Sequence, residues 1–548
     1  MKFGKAFSDS VIIGQSQRSR SPRERDPGWW LGKGRALLFA SVLCLSSFIL
    51  LWRLFRLTII DGFGYRTLAD SNRTREIIAH APRGIFVDRT GKPLVQNEVT
   101  TRQNGPYAEI DYNREYPFGE ALAHVLGYTG EVTKEELRDE YYSLRRYLPG
   151  DRIGRMGAEA VFEEKLHGRD GRELVEVDAA GQKVRMLGTV EAIPGETVML
   201  SLDGTLSQVV AASFPAGGKG AVVVSNPQTG ELLALYSSPS FNPNGFTLGQ
   251  TPDQYETLLT NPDKPMFFRA IGGVYPPGST FKLVTAVAAL EEEAVSADTQ
   301  IEDIGVIKIG VSSYPNWFFL QYGKTEGLVD IVHALQRSND IYFYKAGEAV
   351  GIQKLGVWAR KMGVGAPLGI EIAGEAGGLM PDAAWKKERF TSPADLEARN
   401  QLWFLGDTYH VAIGQGYLLT TPLQVNTWTN VIANGGNVCR PTIKKSPSDC
   451  REVGIKKETI QLITEGMIKA CELGGTGWPL FGFSVPIACK TGTAEFGDPE
   501  SKPHAWFTAF GPPQSPEISV TVLVEGTGEG SDVAAPIAKK ILEEWFRR

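Results

Sequence analysis

The longest uninterrupted apolar run of the chain covers residues 36–52, and every other apolar run is much shorter. Its seventeen residues would span ~26 Å as a helix, slightly less than a ~30 Å hydrocarbon core. Residues 53–60 contain both apolar and charged side chains. They can lengthen the span, because Arg53 and Arg56 can extend their charged ends towards the interface. The pattern predicts one transmembrane helix over residues 36–60, after a polar, mostly disordered tail over residues 1–35.

Beyond this helix, short apolar runs alternate with glycine-containing turns as far as about residue 205. Such runs predict strands, for instance over residues 84–87 and 173–177, and the segment 135–146 predicts a helix. Residues 61–205 are therefore predicted to form a modest α+β domain.

The last and longest part of the chain, residues 206–548, has strand patterns at both ends and helical patterns between them. Near its start, GAVVVSNPQTGELLALYSS predicts two strands joined by a turn over residues 226–230. This arrangement predicts one α+β domain whose terminal segments share a sheet. The other predicted elements are helices 279–294 and 535–546 and strands 485–490, 505–510 and 518–524.

Composition narrows the function class. Hydrophobic residues make up 42% of the chain and charged residues 22%, as in ordinary globular proteins. The net charge of −6 argues against a general nucleic-acid binder. Because only one apolar run approaches membrane length, the pattern also excludes a polytopic membrane protein.

Positive charge is concentrated at the N-terminus. Residues 1–35 hold eight Lys/Arg, which places the N-terminus in the cytoplasm and the later domains outside. A cleaved signal peptide is the alternative, but no small-x-small site follows the run, and Leu43 before Cys44 argues against lipoprotein processing. We expect a single-pass protein of the bacterial inner (cytoplasmic) membrane with periplasmic or extracytoplasmic domains.

The cysteines and histidines give no support for a metal site. The five Cys contain no C-x-x-C, and the six His contain no H-E-x-x-H. So few Cys suit an exported protein with few or no disulfides. Cys439 and Cys450 are close enough along the chain to pair, but their spacing alone does not decide whether they do.

The first candidate motif is Ser279-Thr280-Phe281-Lys282, after the turn YPPG. On a helix, Lys282 lies one turn from Ser279 on the same face. A buried amine with a lowered pKa can take the proton of a nearby hydroxyl, which makes Ser279 a candidate nucleophile. Alone, the same residues also fit a capping serine followed by an exposed lysine.

Two further motifs follow. Ser338-Asn339-Asp340 alone fits a helix N-cap. Lys490-Thr491-Gly492-Thr493 lies at the predicted end of an apolar strand, where Gly492 permits close approach of a substrate backbone. Lys490 supplies a fixed positive charge, and the threonine hydroxyls can bind a carboxylate. S-x-x-K, S-x-x and K-T-G in this order are the triplet of serine β-lactamases and penicillin-binding proteins.

Over about residues 53–546 the chain resembles the class B penicillin-binding proteins, and within them the elongation type, penicillin-binding protein 2. The features that favour this type are Asp340 in the second motif and the segments 124–132 and 378–390, the latter followed by WFLGDTYHVAIGQG. Ala158 stands where a larger aliphatic residue is usual. Other matching segments are 72–91, 150–171, 406–424 and 504–512.

The resemblance implies a fold and a set of roles. The fold is a transmembrane anchor, an α+β pedestal (dimerisation-like) domain and a transpeptidase domain with an antiparallel sheet flanked by helices. Ser279 would attack the penultimate D-Ala carbonyl of a stem pentapeptide, with Lys282 as general base and Ser338 relaying the proton. The backbone amides of Ser279 and Thr493 would form the oxyanion hole. The expected substrate-binding residues are Asp340, whose substrate contact stays open, Lys490, Thr491, Gly492 and Thr493.

The resemblance also implies ligands and partners. β-Lactams would acylate Ser279 and leave slowly. No stretch remains for a glycosyltransferase domain, so we expect a SEDS-family glycan polymerase and other elongation-complex proteins as partners. Some members carry a zinc site between the first two motifs. Here residues 283–337 contain no Cys, and their only histidine is His333. We therefore expect no metal and no cofactor.

The predicted function is peptidoglycan D,D-transpeptidation during cell-wall elongation. A division-type transpeptidase is the nearest alternative. A D,D-carboxypeptidase, a serine β-lactamase and a non-catalytic β-lactam sensor or scaffold are the others. The acceptor residue, the envelope type and the oligomeric state stay open.

Overall fold

A computed structural model describes residues 29–104, 107–145, 147–178, 182–247, 252–497 and 502–548. The chain forms two compact units. The first holds the residues up to Ile77 together with Leu174–Gly188, and the second holds Ile78–Glu173 and Thr189–Arg548. The mixed helix and sheet content and the apolar N-terminal helix confirm the predicted fold class.

The first unit begins with helix α1, Trp29–Phe55, which continues as a π-helix over Arg56–Ile60. The stretch Lys33–Ile60 is long and apolar enough to cross a membrane. Residues 29–35 of the predicted, mostly disordered tail are helical, because extending a formed helix adds one hydrogen bond per residue even at glycine. Residues 1–28 of that tail lie outside the described residues.

The rest of the first unit contains helix α2, Gly62–Arg73, and most of a three-stranded sheet. The sheet order is β1 (Thr74–Ala79), β7 (Gly171–Val177) and β8 (Lys183–Val190). The predicted strand 173–177 is thus confirmed. Glu176 forms ion pairs with Arg73 and Arg185 within this unit.

The second unit begins with short strands and helices. The predicted helix 135–146 is wrong: a 3₁₀ turn over Glu136–Arg138 is followed by the short helix Glu140–Leu144. Asp139 separates them, because its side chain accepts from the Tyr141 amide and starts a new helix. The elements are β2 Phe86–Val87, β3 Gln96–Asn104, β4 Tyr107–Glu115, α3 Ala123–Leu126, β5 Thr129–Glu131, α4 Glu140–Leu144, β6 Arg152–Gly154, α5 Gly157–Val161, α6 Glu163–Leu166 and β9 Val198–Met199.

This part of the second unit holds a buried cluster of four charged residues. We call it the Arg–Glu cluster, and its members are Arg83, Arg114, Glu159 and Glu163. Arg83 donates to Glu159 at 2.8 Å and to Glu163 at 2.6 Å, and Arg114 donates to Glu159 at 2.7 Å. Burial opposes the charge of Arg83, but the two carboxylates outweigh burial and raise the pKa of Arg83 above its ordinary value. Two guanidinium groups therefore face two carboxylates.

The larger part of the second unit is built on a five-stranded antiparallel sheet. Its order is β11 (Leu232–Ser238), β10 (Gly220–Ser225), β20 (Ile518–Val524), β19 (His504–Gly511) and β18 (Ala488–Ala494). Strand β10 pairs with β20 along its whole length, with Val222 opposite Val522. The prediction that the two ends of the domain share a sheet is confirmed.

Both faces of this sheet are covered. Along β19, Trp506 and Phe510 join one hydrophobic core and Phe507 joins the other, as the two-residue period of a strand requires. Helices α11 (Lys282–Glu291) and α19 (Pro422–Ala433) contribute to the first core, and helices α7 (Gly204–Ser213) and α21 (Ala535–Arg547) to the second. The other elements are α8 Asn244–Thr247, α9 Pro252–Thr260, α10 Arg269–Gly272, β12 Ile301–Asp303, β13 Val306–Ile309, β14 Ser312–Pro315, α12 Trp317–Tyr322, β15 Gly327–Val329, α13 Ile331–Arg337, α14 Asp340–Val350, α15 Ile352–Lys361, α16 Ala383–Arg389, α17 Pro393–Glu397, α18 Leu405–Ala412, β16 Asn437–Cys439, β17 Cys450–Glu452 and α20 Lys457–Ala470.

Two predicted boundaries differ at the candidate site. The predicted strand 485–490 begins only at Ala488 and continues to Ala494, so K-T-G lies inside the strand and not at its end. The strand continues because its residues pair with β19 throughout, with Lys490 opposite Thr508. The predicted helix 279–294 begins as a 3₁₀ turn over Gly278–Phe281 and ends at Glu291.

Candidate active site

Ser279 lies where two glycine-containing segments meet. Gly278 has φ +53°, and its amide donates to the Gly414 carbonyl at 2.9 Å. A Cβ on Gly278 would lie 2.6 Å from the Thr493 carbonyl oxygen, and one on Gly414 would lie 2.0 Å from the Gly278 carbonyl oxygen. These glycines bring the Ser279 turn against β18, and the Ser279 side chain stays partly exposed.

Lys282, one turn further on, is completely buried. Its Nζ donates to Asp340 Oδ1 at 2.6 Å and to the Ser338 carbonyl at 2.7 Å, and it lies 3.3 Å from Ser338 Oγ. Burial lowers the pKa of Lys282, and the Asp340 carboxylate opposes that shift. Within the described part of the chain, no hydrogen bond joins the Ser279 hydroxyl to this amine.

Ser338 lies between the two lysines of the site. Its Oγ accepts from Lys490 Nζ at 2.7 Å and faces Lys282 Nζ at 3.3 Å. Because lysine Nζ is the donor in the first contact, the Ser338 proton stays available for another acceptor. The residue has φ +56°, a left-handed conformation that costs free energy for a non-glycine residue, and it caps the C-terminus of α13.

Asp340 begins helix α14 and is bound entirely by protein groups. Oδ1 accepts from Lys282, Oδ2 accepts from the Trp317 amide at 2.9 Å, and its own amide donates to Asn316 at 3.1 Å. The position left open by the sequence therefore faces the lysine, which accounts for an aspartate there: a carboxylate accepts from an amine, whereas an amide would not balance its charge.

The K-T-G segment lies on β18, the outer strand of the sheet. Lys490 is completely buried, and burial, followed by the charge of Lys282, lowers the pKa of Lys490 well below its ordinary value, with Asp340 opposing. A Cβ on Gly492 would lie 2.9 Å from Thr280 Cγ2, so glycine allows β18 to contact the Ser279 turn. Thr491 is nearly buried, and Thr493 is partly exposed.

All eight sequence-predicted site residues thus meet at one place. The model of the penicillin-binding protein transpeptidase domain matches residues 220–543, and the model of the penicillin-binding protein dimerisation domain matches residues 100–200. The chain belongs to the penicillin-binding protein family. It carries that family's transpeptidase domain and is an enzyme of the transpeptidase class.

Three known proteins are similar to this chain over most of its length. The peptidoglycan D,D-transpeptidase MrdA of Acinetobacter baumannii is 35% identical over 82% of this chain and 68% of its own length. Penicillin-binding protein 2 of Helicobacter pylori, solved in complex with MreC, is 26% identical, with a TM-score of 0.74 over 86% of this chain and 99% of its own. A chain of a peptidoglycan synthase complex that coordinates polymerization and crosslinking is 29% identical, with a TM-score of 0.75 over 94% of this chain and 98% of its own.

Sequence reasoning missed a buried hydrogen-bond network beside the second motif of this penicillin-binding protein. Asp303 Oδ2 accepts from Asn316 Nδ2 at 2.7 Å and from Asn339 Nδ2 at 3.0 Å. Asn316 in turn accepts from the Asp340 amide, and Asn339 caps α14 through the Tyr342 amide. The polar middle residue of Ser338-Asn339-Asp340 was the available signal, but its partner is 36 residues away.

The sequence left one disulfide open and missed another. Cys439 pairs with Cys450, and Cys471 pairs with Cys489, so four of the five cysteines are bonded. The second bridge was not expected, and it joins the residue after α20 to the residue before Lys490. Two disulfides agree with the expectation of few or none, and the Cys439–Cys450 pairing that the sequence left open is present.

A titratable cluster that precedes these motifs in the sequence was also missed. One ligand atom each of His80, Asp151 and Asp170 lie within 4.8 Å of one another, beside a cavity of about 90 Å³. The hydrogen bond with Asp170 raises the pKa of His80, and burial opposes that shift. The same cavity is lined by Arg83, Arg114 and other residues of both charges.

Proposed function

We propose that the chain is an elongation-type peptidoglycan D,D-transpeptidase that forms an acyl-enzyme at Ser279. The observation that carries the proposal is the position of the Ser338 hydroxyl between two buried lysines, 2.7 Å from Lys490 and 3.3 Å from Lys282. A hydroxyl that accepts from lysine on one side can donate its own proton on the other, which is what a proton relay needs.

In the first step, neutral Lys282 takes the hydroxyl proton of Ser279, and Ser279 Oγ bonds to the carbonyl carbon of the penultimate D-Ala. The tetrahedral intermediate collapses as the bond to the terminal D-Ala nitrogen breaks. The proton passes through Ser338 to that nitrogen, so D-Ala leaves as a neutral amine and Ser279 carries the acyl group. The lowered pKa of Lys282 supports this role, because only the neutral amine is a base.

In the second step, an amine of another stem peptide attacks the acyl-enzyme. The attacking nitrogen loses a proton to Lys282, the new amide bond forms, and the bond to Ser279 Oγ breaks as the serine regains its proton. A β-lactam follows the first step with its ring nitrogen as the leaving group. That nitrogen stays attached to the acyl group, which explains why such an adduct would persist.

Two further groups have roles in this proposal. The backbone amides of Ser279 and Thr493 bind the developing oxyanion, and the contact of Gly278 with the Thr493 carbonyl supports their proximity. Lys490 and the hydroxyl of Thr493 bind the terminal carboxylate of the substrate, whereas the hydroxyl of Thr491 donates to Thr476 and orients that residue. Asp340 accepts from Lys282 and positions it, and Asp340 itself does not contact the substrate.

The proposed topology is a single membrane pass with a cytoplasmic N-terminus and an extracytoplasmic catalytic domain. The apolar helix and the basic residues before it support this arrangement. The boundaries 1–35, 36–60, 61–205 and 206–548 stay predictions. Known complexes of the relatives, one with MreC and one described as a peptidoglycan synthase complex, support an elongation complex with a SEDS-family polymerase as the partner assembly.

The test is covalent labelling of the full membrane-bound chain with fluorescent penicillin, followed by peptide mapping. We expect a stable adduct on Ser279 that is absent from Ser279→Ala. Ser296→Ala, which changes an exposed serine of the same domain, should label normally. An adduct lost within seconds would indicate a β-lactamase, and a folded wild type without an adduct would exclude the acyl-enzyme.

Incubation with a stem pentapeptide separates the remaining functions. Transpeptidation joins the donor to an amine acceptor, whereas a carboxypeptidase releases D-Ala without one. Depletion in the producing bacterium distinguishes the cellular role: loss of rod shape supports elongation, and filaments blocked at the septum would support division.

A further inference from the structure

The loop between helix α20 and strand β18 is fixed tightly beside K-T-G. The disulfide Cys471–Cys489 joins its first residue to β18, and the Gly477 amide donates to the Ala470 carbonyl at 2.7 Å. A Cβ on Gly475 would lie 2.2 Å from the Ala470 carbonyl oxygen, and one on Gly477 would lie 2.7 Å from Cys489 Sγ. Thr476, between these glycines, therefore has a defined position.

The same loop contacts the second motif. Arg337 precedes Ser338, and its Nη1 donates to the Gly474 carbonyl at 2.8 Å. Its Nε pairs with Glu326 at 2.5 Å. The loop is thus attached to the segments that carry Ser338 and Lys490, whose side chains bond each other in the site.

Thr476 meets the second residue of K-T-G. Thr491 Oγ1 donates to Thr476 Oγ1 at 2.7 Å. A threonine hydroxyl has one proton, so in this arrangement the proton of Thr491 is already used, whereas no hydrogen bond within the described ranges uses the proton of Thr476. Thr491 is only 7% exposed and Thr476 is partly exposed, so the free proton belongs to the more accessible hydroxyl.

We propose that Thr476 is a substrate-binding residue that donates to the carboxylate of the D-Ala-D-Ala terminus or of a β-lactam. Thr491 orients the Thr476 hydroxyl, and Thr493 lies on the same face of β18 as Thr491, because side chains two residues apart share a face. This inference rests on the proposed function and identifies a carboxylate contact outside the three motifs. It predicts that the hydroxyl at position 476 matters for binding an acid and not for the acylation step itself.

The experiment is stopped-flow acylation of the full-length chain by benzylpenicillin and by its methyl ester. It compares wild type with Thr476→Val, Thr476→Ser and Thr491→Val. For the acid, Thr476→Val should weaken the binding constant that precedes acylation about tenfold, as expected for one hydrogen bond to a charged group. The limiting acylation rate should stay within about twofold, and Thr476→Ser should restore binding.

Two controls separate recognition from folding. Thr257→Val changes an exposed helical threonine and should bind the acid like wild type. The neutral ester should react with wild type and Thr476→Val at the same rate, since it lacks the charge that Thr476 binds. An equal loss for acid and ester would mean that Thr476 only supports the loop, which would overturn the inference.

The comparison with Thr491 gives the second decisive result. If Thr476 is the direct contact, Thr491→Val loses less affinity than Thr476→Val, because it removes only the orienting bond. A larger loss in Thr491→Val, or no loss in Thr476→Val, would overturn the inference while leaving the Ser279 acyl-enzyme intact. A wild type that does not acylate at all would overturn the proposed function, and this inference with it.

Discussion

Two buried charge clusters in this chain are built on opposite rules. In the Arg–Glu cluster, two guanidinium groups meet two carboxylates, and those carboxylates raise the pKa of Arg83 further. In the transpeptidase site, two lysines are buried, and among the described residues only Asp340 offers either of them a hydrogen-bonded carboxylate. Burial lowers the pKa of both lysines. The guanidinium groups that face an equal number of carboxylates keep their protons, whereas the two buried lysine amines share one carboxylate and can release a proton. Only the second arrangement serves acid–base chemistry.

The largest expected effect comes from removing Lys282, the proposed general base. Lys282→Met should slow acylation of Ser279 by fluorescent penicillin about 10²–10⁴-fold, the usual contribution of a positioned general base. Lys457→Met, at the exposed start of α20, is the matched control and should acylate normally. A folded Lys282→Met protein with a wild-type acylation rate would remove Lys282 from the mechanism.

The second-largest expected effect is on the stability of the fold, and it comes from a change in the Arg–Glu cluster. Glu159→Gln leaves Arg83 and Arg114 with one carboxylate, and breaking a buried pair in this way costs about 3–5 kcal/mol. Denaturant unfolding should show that loss in the free energy of unfolding. The folded fraction should still acylate at the wild-type rate, and a slower rate at full folding would show that the clusters are not independent.

The smallest expected effect is a dependence of the acylation rate on pH. In the proposed mechanism the base is the neutral amine of Lys282, so the acylation rate should rise with pH, about tenfold per unit below the pKa of Lys282, and level off above it. Because burial lowers that pKa, the plateau should be reached below the ordinary lysine value of 10.5. A rate that still rises in proportion to hydroxide above pH 10.5 would contradict a depressed lysine pKa.

Much of the fold and of the candidate site could be predicted from the sequence alone, because the motifs are short and their residues lie close together along the chain. Ser279 and Lys282 are one helical turn apart, and the strands at 505–510 and 518–524 have a clear apolar pattern. Helix 535–546 was also within one residue of Ala535–Arg547. Local periodicity and fixed spacing are properties that a sequence displays directly.

The remainder depends on groups that meet only in the folded chain. The partner of Asp340 is Lys282, 58 residues earlier, and that of Asn339 is Asp303. Cys471 and Cys489 are separated by a loop whose path no local signal predicts. The helix predicted at 135–146 failed because a capping side chain, Asp139, competed with helix propensity.

The pairing of β10 with β20 has a consequence for biogenesis. These strands are adjacent in the sheet although about 300 residues of chain separate them, and contacts so distant along the sequence form late in folding. In the proposed topology the N-terminus stays in the cytoplasm and the chain crosses the membrane from the anchor towards its C-terminus, so β20 would be among the last segments to cross. In that topology Ser279, the proposed nucleophile, would cross the membrane before β20, so the sheet could close only after the last strands had followed. Nascent chains interrupted before β20 should therefore be inert and exposed to envelope proteases, so that only completed molecules acquire cross-linking activity.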